Sequence, residues 1–369
     1  MVDMRLINQE SSMKKMWMII GILSICDILG LLFGGIFINS LMDKPLGPSL
    51  HGNSIKQTVS GSGHVRTSSQ DQNQTPAPSQ SQNQRIQLSP LCGNTPVLTV
   101  LAVGTDFEGD NYLYGLADVI RVVRIDFTIH QVSVLTLERD IWLEIPGISD
   151  HYGITHGKIN QAYFFGVPAM GYFDGVGGGA GLLAATLKKN FDLDVDNYVV
   201  VDMAVFTKFV DALGGIDVNL PTPIEGSPGF PYSFKSGEQH LTGKRALELA
   251  RSRENYSTIF RNNNQTIILN AIFAKLNSPE IIPKIPKLLQ AFQKAELTDL
   301  STRQIESMIC LLKKMDKADL LFHSIPARYY VAGWTFDDYV RQNVWIWNID
   351  FNVFRSYISD FMKGQWPQE

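Results

Sequence analysis

The stretch from Thr99 to Asp140 constrains the fold of this chain most, because it holds three apolar, strand-like runs in succession. The runs cover residues 99–103, 119–125 and 131–137. They are flanked by ionisable residues, namely Asp106, Asp118 and Arg139. If the three strands are neighbours in one sheet, two carboxylates and a guanidinium meet near one edge. Hard cations take oxygen ligands, and an Arg guanidinium can bind a phosphate through two hydrogen bonds, so the pattern predicts a site for a cation and a phosphate. The alternative is that these residues are charged only because loops face water.

The N-terminal region contains an apolar run, Met16 to Ile38, of about the length that a helix needs to span a bilayer. Arg5, Lys14 and Lys15 precede it, whereas the downstream flank to residue 55 has only Lys44. The positive-inside rule then predicts a cytoplasmic N-terminus and an extracytoplasmic main domain. A cleaved signal peptide is the competing interpretation, but the run is long for one and lacks an Ala-x-Ala site. The chain is therefore expected in the cell membrane as a single-pass protein.

Residues 39–92 consist mainly of Ser, Gln, Asn, Thr, Gly and Pro, with few large apolar side chains. Such a segment cannot bury enough apolar surface to offset the entropy lost on ordering it. It is therefore predicted to be a disordered linker that holds a folded domain away from the membrane.

The chain has three cysteines, of which Cys26 lies in the apolar N-terminal run. Cys92 and Cys310 lie in the predicted external part, where an oxidising environment permits a disulfide. A bridge would connect the start of the folded domain to helices near its end and would close a long loop in the unfolded chain. The sequence leaves this bridge and a pair of free thiols as alternatives.

Strand-like and helical patterns alternate after the opening strands. Residues 198–202 are typical of a β-branched strand, and the helix predicted at 204–213 ends at a Gly-Gly pair. Further helices are predicted at 241–253 and 263–276. Strands interleaved with helices favour an α/β fold, here a three-layer α/β/α sandwich with a central mixed sheet.

The C-terminal part continues the same alternation without a linker-like composition before it. Helical patterns lie at 281–294 and 302–315, and strand-like runs lie at 320–325 and 344–349. This part is therefore predicted to extend the preceding domain rather than to form a second enzyme.

Several chemistries lack the motifs that they require. The net charge of −4 gives no whole-chain basic field for a nucleic acid. The chain has no His-Glu-x-x-His motif or metal-spaced Cys pair for zinc, and no Gly-x-Ser-x-Gly elbow for a serine hydrolase. The glycine-rich stretch 175–181 lacks the Gly-Lys-Ser/Thr ending of a phosphate loop and is predicted to be a flexible turn.

What remains is a set of acidic and scattered basic residues, which suits a pyrophosphate better than a nucleic acid. The acids can hold a cation, and the bases can bind an anion. The set comprises Asp106, Asp118, Arg139, Lys158, Arg251, Arg253 and Arg261. Arg261 and Gln265 lie four residues apart at the head of a predicted helix and can share one face.

An ordered series of motifs within residues 97–276 resembles the LytR-CpsA-Psr family of cell-envelope proteins. The motifs are Gly104-Thr105-Asp106, Ala117-Asp118-Val119, Arg139-Asp140, Lys158-Ile159-Asn160-Gln161-Ala162-Tyr163, Asp211-Ala212-Leu213-Gly214-Gly215, Leu241-Thr242-Gly243 with Ala246-Leu247, Arg251-Ser252-Arg253, and Arg261 with Gln265. The predicted topology also agrees with the family, which has a single-span anchor and an external α/β domain.

The resemblance implies a phosphotransferase that moves a glycan phosphate from a polyprenyl-pyrophosphate-linked donor to peptidoglycan. It implies that Asp106 and Asp118 hold Mg²⁺, with Mn²⁺ as the alternative, and that these two residues and Arg139 are catalytic. Asp118 would take the proton from the attacking sugar hydroxyl. The lipid chain would enter an apolar pocket between the sheet and its helices. The residues implied in substrate binding are Arg139, Lys158, Arg251, Arg253, Arg261 and Gln265.

The chain departs from the family pattern at four positions. Leu116 stands where an Arg is common, and Glu138 replaces the Pro before Arg139. Thr258 stands where an Asp is usual, and Asn264 where an Arg is common. Two lost cations and an added acid would weaken the binding of a polyanion. Activity is expected because the remaining Asp, Arg and Lys set is kept; the alternatives are a catalytically weakened polyprenyl-pyrophosphate-glycan-binding protein and a pyrophosphate hydrolase of the envelope.

The predicted organisation has five parts. They are a cytoplasmic N-terminus (1–15), a transmembrane anchor (16–38), a disordered linker (39–92), a catalytic domain of the LytR-CpsA-Psr type (93–276) and a C-terminal α/β extension of that domain (277–369). The expected partners are the lipid-linked donor, peptidoglycan and the membrane, and no nucleic acid is expected.

Overall fold

The structure, a computed structural model, describes residues 42–51, 92–93, 95–106, 115–226, 230–252, 258–284 and 298–367. The predicted anchor, most of the predicted linker and Arg253 lie outside these ranges. Within the described ranges, no helix is both long and apolar enough to cross a bilayer. The anchor, its orientation and the five-part division of the chain stay predictions.

A five-stranded mixed sheet forms the centre of the fold. The strands of the described residues are β1 (Val97–Thr105), β2 (Ala117–Asp126), β3 (Gln131–Leu137), β4 (Trp142–Glu144), β5 (His156–Lys158), β6 (Asn197–Val201), β7 (Ile216–Leu220), β8 (Gly237–Leu241), β9 (Leu320–Ser324), β10 (Tyr330–Asp337) and β11 (Gln342–Ile349). The strand order in the central sheet is β6-β1-β2-β3-β9. β1, β2 and β3 pair antiparallel, while β6 and β9 join parallel to β1 and β3. Because β2 runs against its neighbours, the end of β1, the start of β2 and the end of β3 share one edge.

Several helices are capped at their ends by side chains or by glycine. The α-helices of the described residues are α1 (Ile159–Gly166), α2 (Gly178–Phe191), α3 (Met203–Leu213), α4 (Gly243–Arg251), α5 (Thr258–Asn277), α6 (Thr302–Leu312) and α7 (Phe351–Met362). At the start of α3, the Asp202 carboxylate accepts a hydrogen bond from Val205 N–H. Gly214, at φ +88°, ends this helix at the predicted Gly-Gly pair.

Alternating side chains of the central sheet pack against helices on both of its faces. Leu101, Val122 and Leu135 face a core that they share with α1, α2 and α7. Leu98 and Ile125 face the other way, into a core shared with α6. A further cluster joins α3, α4, α5 and β7. The structure therefore confirms the predicted α/β class, with a central mixed sheet flanked by helices.

The C-terminal residues build part of the same core. β9 pairs with β3 in the central sheet, and Phe354 and Phe361 of α7 are buried in the core of the first face. Trp347 N–H of β11 donates to the Asp140 carbonyl at 2.9 Å, so the β10–β11 hairpin lies beside the loop that follows β3. Of the two alternatives for Cys92 and Cys310, the structure has the disulfide.

Local structure differs from the expectation at two places. The glycine-rich stretch 175–181 is more than a turn, because α2 begins at Gly178 after Gly177 adopts the left-handed conformation at φ +79°. The helix predicted at 281–294 is wrong in its described part, which is a 3₁₀ helix, Pro279–Lys284. Pro283 lacks a backbone donor and so opposes a regular α-helix there.

Residues 42–51, within the predicted linker, lie against the folded domain. Leu46 N–H donates to the Leu300 carbonyl at 3.1 Å. Leu50 N–H donates to Asp299 Oδ2 at 3.0 Å, and the Tyr198 hydroxyl donates to the Pro48 carbonyl at 2.9 Å. These contacts hold this short stretch beside β6. A freely moving tether would not form such contacts with the domain.

Candidate functional site

Asp118 lies at the point where the central sheet meets helix α5. Its Oδ1 accepts a hydrogen bond from Arg139 Nη1, and its Oδ2 lies 3.7 Å from Arg261 Nη1. Arg139 is the second residue after β3, and Arg261 lies in the first turn of α5. The carboxylate therefore holds two guanidinium groups that come from distant parts of the chain.

Asp140 connects two of the predicted cations on the other side of Arg139. Arg139 Nε donates to Asp140 Oδ2 at 3.3 Å, and Lys158 Nζ donates to Asp140 Oδ1 at 2.8 Å. Burial acts to lower the pKa of Arg139, but the charges of Asp118 and Asp140 outweigh it and raise the pKa above its usual value. Arg139 is therefore a firmly charged cation between two carboxylates.

Asp106 follows β1 and forms hydrogen bonds with Leu116, the residue before β2. Its Oδ1 accepts a hydrogen bond from Leu116 N–H at 2.7 Å, and its own N–H donates to the Leu116 carbonyl at 3.2 Å. Burial, with a contribution from the Asp118 charge, raises the pKa of Asp106 in spite of the hydrogen bond from Leu116. The two carboxylates are thus near enough to interact.

The carboxylates of Asp106 and Asp118 fit a magnesium ion whose other ligands come from a bound substrate. Within the described residues, no group of three or more His, Cys, Asp or Glu could hold a metal alone. Mg²⁺ is commonly bound by one or two carboxylates together with substrate phosphates, and Asp106 and Asp118 supply two. Their assignment to Mg²⁺ or Mn²⁺ stays a prediction.

A cavity of about 830 Å³ opens between the central sheet and helices α3, α4 and α5. Asp106 and Asp118 line it beside Arg251, Arg261 and Gln265. Most of the other lining side chains are apolar; they include Val103, Val119, Phe206, Phe209, Leu247, Ile268, Leu269 and Ile272. We call this space the apolar cavity. Its combination of apolar walls and a charged end suits a ligand with a lipid chain and an anionic head.

A second space, of about 450 Å³, lies on the other side of Asp106. We call it the hairpin cleft, because the β10–β11 hairpin forms one of its walls. The residues of this wall are Asp337, Tyr339, Val340, Gln342 and Val344. Arg139, Asp140 and Lys158 line the opposite wall, and Gln161 Nε2 donates to Asp337 Oδ2 across the cleft at 2.7 Å.

The structure brings the predicted site residues of its described part together around these two spaces. Asp106, Asp118, Arg251, Arg261 and Gln265 line the apolar cavity, and Asp106, Arg139 and Lys158 line the hairpin cleft. Arg253 lies outside the described residues. α4 covers Gly243–Arg251 and so ends two residues before the end of the helix predicted at 241–253.

The positions that depart from the family pattern lie around the same site. Leu116 lines the hairpin cleft, and Thr258 begins α5. Glu138 Oε1 accepts a hydrogen bond from Asn262 Nδ2 at 2.7 Å. Asn264 Nδ2 donates to Ser252 Oγ at 2.9 Å, so the amide connects α5 to the end of α4.

Two charged residues of the site were missed by reasoning from the sequence. The sequence motifs assign no role to Asp140, although it binds both Arg139 and Lys158. Arg121 belongs to none of the sequence motifs; it is buried in β2, lines the apolar cavity and donates from Nη2 to Gln265 Oε1 at 3.3 Å. A charged residue in the middle of a β-branched strand was the signal that could have identified it.

The fold and the site define an α/β domain with an aspartate and arginine cluster between an apolar cavity and a hairpin-walled cleft. The chain belongs to the LytR-CpsA-Psr family: residues 58–355 match the LytR_cpsA_psr family, which confirms the resemblance.

Curated relatives include two proteins named polyisoprenyl-teichoic acid–peptidoglycan teichoic acid transferase TagU. The protein from Oceanobacillus iheyensis is 29% identical over 225 residues, which cover 60% of this chain and 65% of the relative. The protein from Halalkalibacterium halodurans is 32% identical over 208 residues, or 55% of this chain and 60% of the relative. The matched region therefore spans less than two thirds of the length of these relatives.

A solved structure shares the fold. The crystal structure of Bacillus subtilis TagV superposes with a TM-score of 0.56 over 73% of this chain and 98% of that chain, at 22% identity. At this identity, the similarity establishes the common architecture and says nothing more about the ligand.

Proposed function

We propose that this chain is a membrane-anchored transferase that moves a glycan phosphate from a polyprenyl-pyrophosphate-linked donor to peptidoglycan. The observation that carries the proposal is that Asp118, which lines the charged end of the apolar cavity beside Arg261, also pairs with Arg139 of the hairpin cleft. A lipid-linked donor has the same two parts, a long apolar chain and a diphosphate. The names of the two TagU relatives support the same class of reaction.

The arginines of the site are suited to binding the diphosphate oxygens. A guanidinium matches phosphate geometry bidentately, and Arg–phosphate hydrogen bonds are among the stronger ones in proteins. Asp118 orients Arg139 and Arg261 before the donor arrives, and Asp140 orients Lys158. Phosphoryl transfer depends mainly on such positioning and on stabilisation of charge, so these residues would supply most of the rate enhancement.

Asp106 and Asp118 are the residues that would hold Mg²⁺, or Mn²⁺ in its place. When bound there, the cation would neutralise negative charge on the phosphate oxygens. Asp106 lines both the apolar cavity and the hairpin cleft, so this position lies between the two spaces.

The attacking sugar hydroxyl must lose a proton, and Asp118 is the proposed acceptor. Both oxygens of this carboxylate pair with guanidinium groups, Oδ1 with Arg139 and Oδ2 with Arg261. A bound diphosphate would take over part of this hydrogen bonding and free an Asp118 oxygen to contact the acceptor hydroxyl.

The predicted topology places this reaction outside the cytoplasm. The anchor at 16–38 would hold the domain at the outer face of the cell membrane, where a polyprenyl carrier and peptidoglycan are both within reach. This location is proposed on the charge pattern that flanks the apolar run.

The direct test is a transfer assay with the full chain in detergent micelles, lipid-linked glycan donor, MgCl₂ and peptidoglycan. We expect glycan phosphate to appear on peptidoglycan and polyprenyl phosphate to be released in equal amount. Arg139→Ala should abolish most of this transfer, because the guanidinium meets the reacting phosphate. Arg303→Ala, an arginine on the surface of α6 away from both spaces, is the matched control and should keep the wild-type rate.

Three outcomes would contradict the proposal. Diphosphate cleavage without attachment to peptidoglycan would indicate a hydrolase. Tight donor binding without turnover would indicate a binding protein with weakened catalysis. An Arg139→Ala variant with full transfer would refute the phosphate-binding role of this residue.

A further inference from the structure

Arg121 has the properties of a ligand-binding cation rather than of a structural one. Arg121 is 4% exposed, and it lines the apolar cavity. Nη2 donates to Gln265 Oε1, while Nε and Nη1 have no hydrogen-bond partner among the described residues. An arginine carries five N–H donors, so most of its hydrogen-bonding capacity is left unused inside the protein.

The charges around Arg121 do not neutralise it. No carboxylate of the described residues forms an ion pair with it, while the cationic Arg261 is near enough to affect its titration. Burial, assisted by Arg261 and opposed by Glu138, lowers the pKa of Arg121 to about 10, so the group is still charged at neutral pH. A buried cation without an ion-pair partner is costly, and an anionic ligand would remove that cost.

Arg124 in the same strand shows how a buried structural arginine is satisfied in this protein. Its side chain lies on the other face of the sheet, because it is three residues from Arg121. Arg124 Nη2 pairs with Asp126 Oδ2 at 3.1 Å, and Nε donates to the Met362 carbonyl at 3.2 Å. The two arginines therefore share a strand and a degree of burial but differ in whether the protein supplies their partners.

The order of the cations along the site indicates which part of a donor Arg121 would meet. Arg139 and Lys158 line the hairpin cleft and not the apolar cavity. Arg121 lines the apolar cavity and not the cleft, and Gln265, which also lines the cavity, holds it there. A donor with its lipid in the cavity and its glycan towards the cleft would place the lipid-attached phosphate nearest Arg121.

We propose that Arg121 is a substrate-binding residue that holds the lipid-attached phosphate of the polyprenyl diphosphate from inside the apolar cavity. This inference rests on the proposed function. In the transfer, a bond forms between the acceptor oxygen and the glycan-attached phosphorus, and the bond from that phosphorus to the bridging oxygen breaks. The bridging oxygen keeps the electron pair and leaves on polyprenyl phosphate, and the proton of the acceptor hydroxyl goes to the enzyme carboxylate. Arg121 would bind this leaving phosphate.

The experiment compares two simple probes, geranylgeranyl diphosphate and geranylgeranyl monophosphate. Their affinities for the full chain in detergent are measured by calorimetry for the wild type, Arg121→Met, Arg121→Gln, Arg139→Ala and the matched control Arg124→Met. Melting temperatures without a probe are measured in parallel. Arg121→Gln keeps a hydrogen-bonding side chain without the charge, so it tests the inference if Arg121→Met folds poorly.

Both Arg121 variants should bind both probes roughly ten- to hundredfold more weakly, as expected for the loss of a charged hydrogen bond. Arg139→Ala should weaken the diphosphate more than the monophosphate. Arg121→Met should melt at or above the wild-type temperature, because it removes an unpaired buried charge. Arg124→Met should melt at a lower temperature than the wild type, because Asp126 and the Met362 carbonyl lose their hydrogen-bond donor. It should bind both probes as the wild type does, because the cavity is unchanged.

The opposite results would overturn the inference. Unchanged probe affinity in both Arg121 variants would show that Arg121 binds no phosphate. A loss confined to the diphosphate would refute the assignment to the lipid-attached phosphate. If the wild type binds neither probe, the proposed function itself fails, which is a result distinct from a failure of Arg121 alone.

Discussion

The two spaces on either side of Asp106 differ in their walls and in the parts of the chain that build them. The apolar cavity is walled by the central sheet and helices α3, α4 and α5, and more of its lining side chains are apolar than charged. The hairpin cleft is walled by Arg139, Asp140 and Lys158 on one side and by the C-terminal hairpin on the other. An amphipathic donor would be sorted by this difference, with its lipid in the first space and its sugar in the second.

Because their walls differ, we expect the apolar cavity to supply mainly binding free energy and the hairpin cleft to supply mainly specificity. Burial of an apolar chain contributes about 0.8 kcal/mol per methylene group and does not depend on orientation. Directed hydrogen bonds to sugar and phosphate oxygens depend on geometry, and the cleft holds its side chains in place through contacts such as Gln161 with Asp337. Substitutions on each side should therefore affect different measured quantities.

The largest effect is expected where the two spaces meet. Asp118→Asn should lower the transfer rate about a thousandfold, because it removes the proton acceptor and releases Arg139 and Arg261. The measurement is glycan transfer at saturating donor. Asp194→Asn, an exposed residue paired with Lys188, is the control and should keep the wild-type rate. A rate above a tenth of wild type for Asp118→Asn would contradict its central role.

The second largest effect is expected when the apolar cavity is filled, and it should appear as weaker lipid binding. Leu269→Trp places a larger side chain in the cavity and should weaken binding of a long polyprenyl diphosphate roughly tenfold or more, and that of farnesyl diphosphate less. Ile129→Trp, at an exposed position of the β2–β3 turn, controls for the added ring. Equal weakening of the long and short probes would show that the chain does not extend into this cavity.

Loosening the hairpin should affect the cleft without affecting the cavity. Asp337 Oδ1 accepts hydrogen bonds from Tyr339 and Val340 N–H, so Asp337→Ala should raise the KM for the peptidoglycan acceptor about tenfold. Lipid-probe affinity should stay unchanged. Asp350→Ala is matched, because Asp350 accepts from two backbone N–H groups at the start of α7 away from the cleft. A fall in lipid affinity for Asp337→Ala would break the comparison.

The smallest functional effect is expected from the disulfide. Cys92→Ala with Cys310→Ala should reduce the free energy of unfolding by about 2–5 kcal/mol, because the bridge closes a long loop. Chemical denaturation of the full chain measures this change, and wild-type protein with the bridge intact is the reference. Donor binding should be kept, since both cysteines lie outside the two spaces. A parallel loss of lipid affinity would connect this bridge to the cavity.

Much of the site could be predicted because its first three residues follow from local patterns. Alternating apolar runs identify β1, β2 and β3, and antiparallel pairing of successive strands then brings Asp106, Asp118 and Arg139 to one edge. The Gly-Gly pair that ends α3 was predictable for the same reason, since a left-handed residue there is readily supplied by glycine.

Contacts between distant residues were not predictable in this way. Lys158 pairs with Asp140 because β4 and β5 fold back on each other, which places β5 beside the loop after β3. The hairpin enters the site because Trp347 binds the backbone of Asp140, more than two hundred residues away. No periodicity within one segment contains information about such a neighbour.

The sequence by itself therefore determined the α/β class, the family, and the acids and bases that surround the site. Their identities and local spacing carry this information, because strand and helix periods depend on neighbouring residues alone. The tertiary structure decided that Arg121 is buried and short of partners while Arg124 is paired, and that a C-terminal hairpin forms the second wall of the cleft. Burial and charge pairing depend on packing between distant segments, so they appear only when the chain is folded.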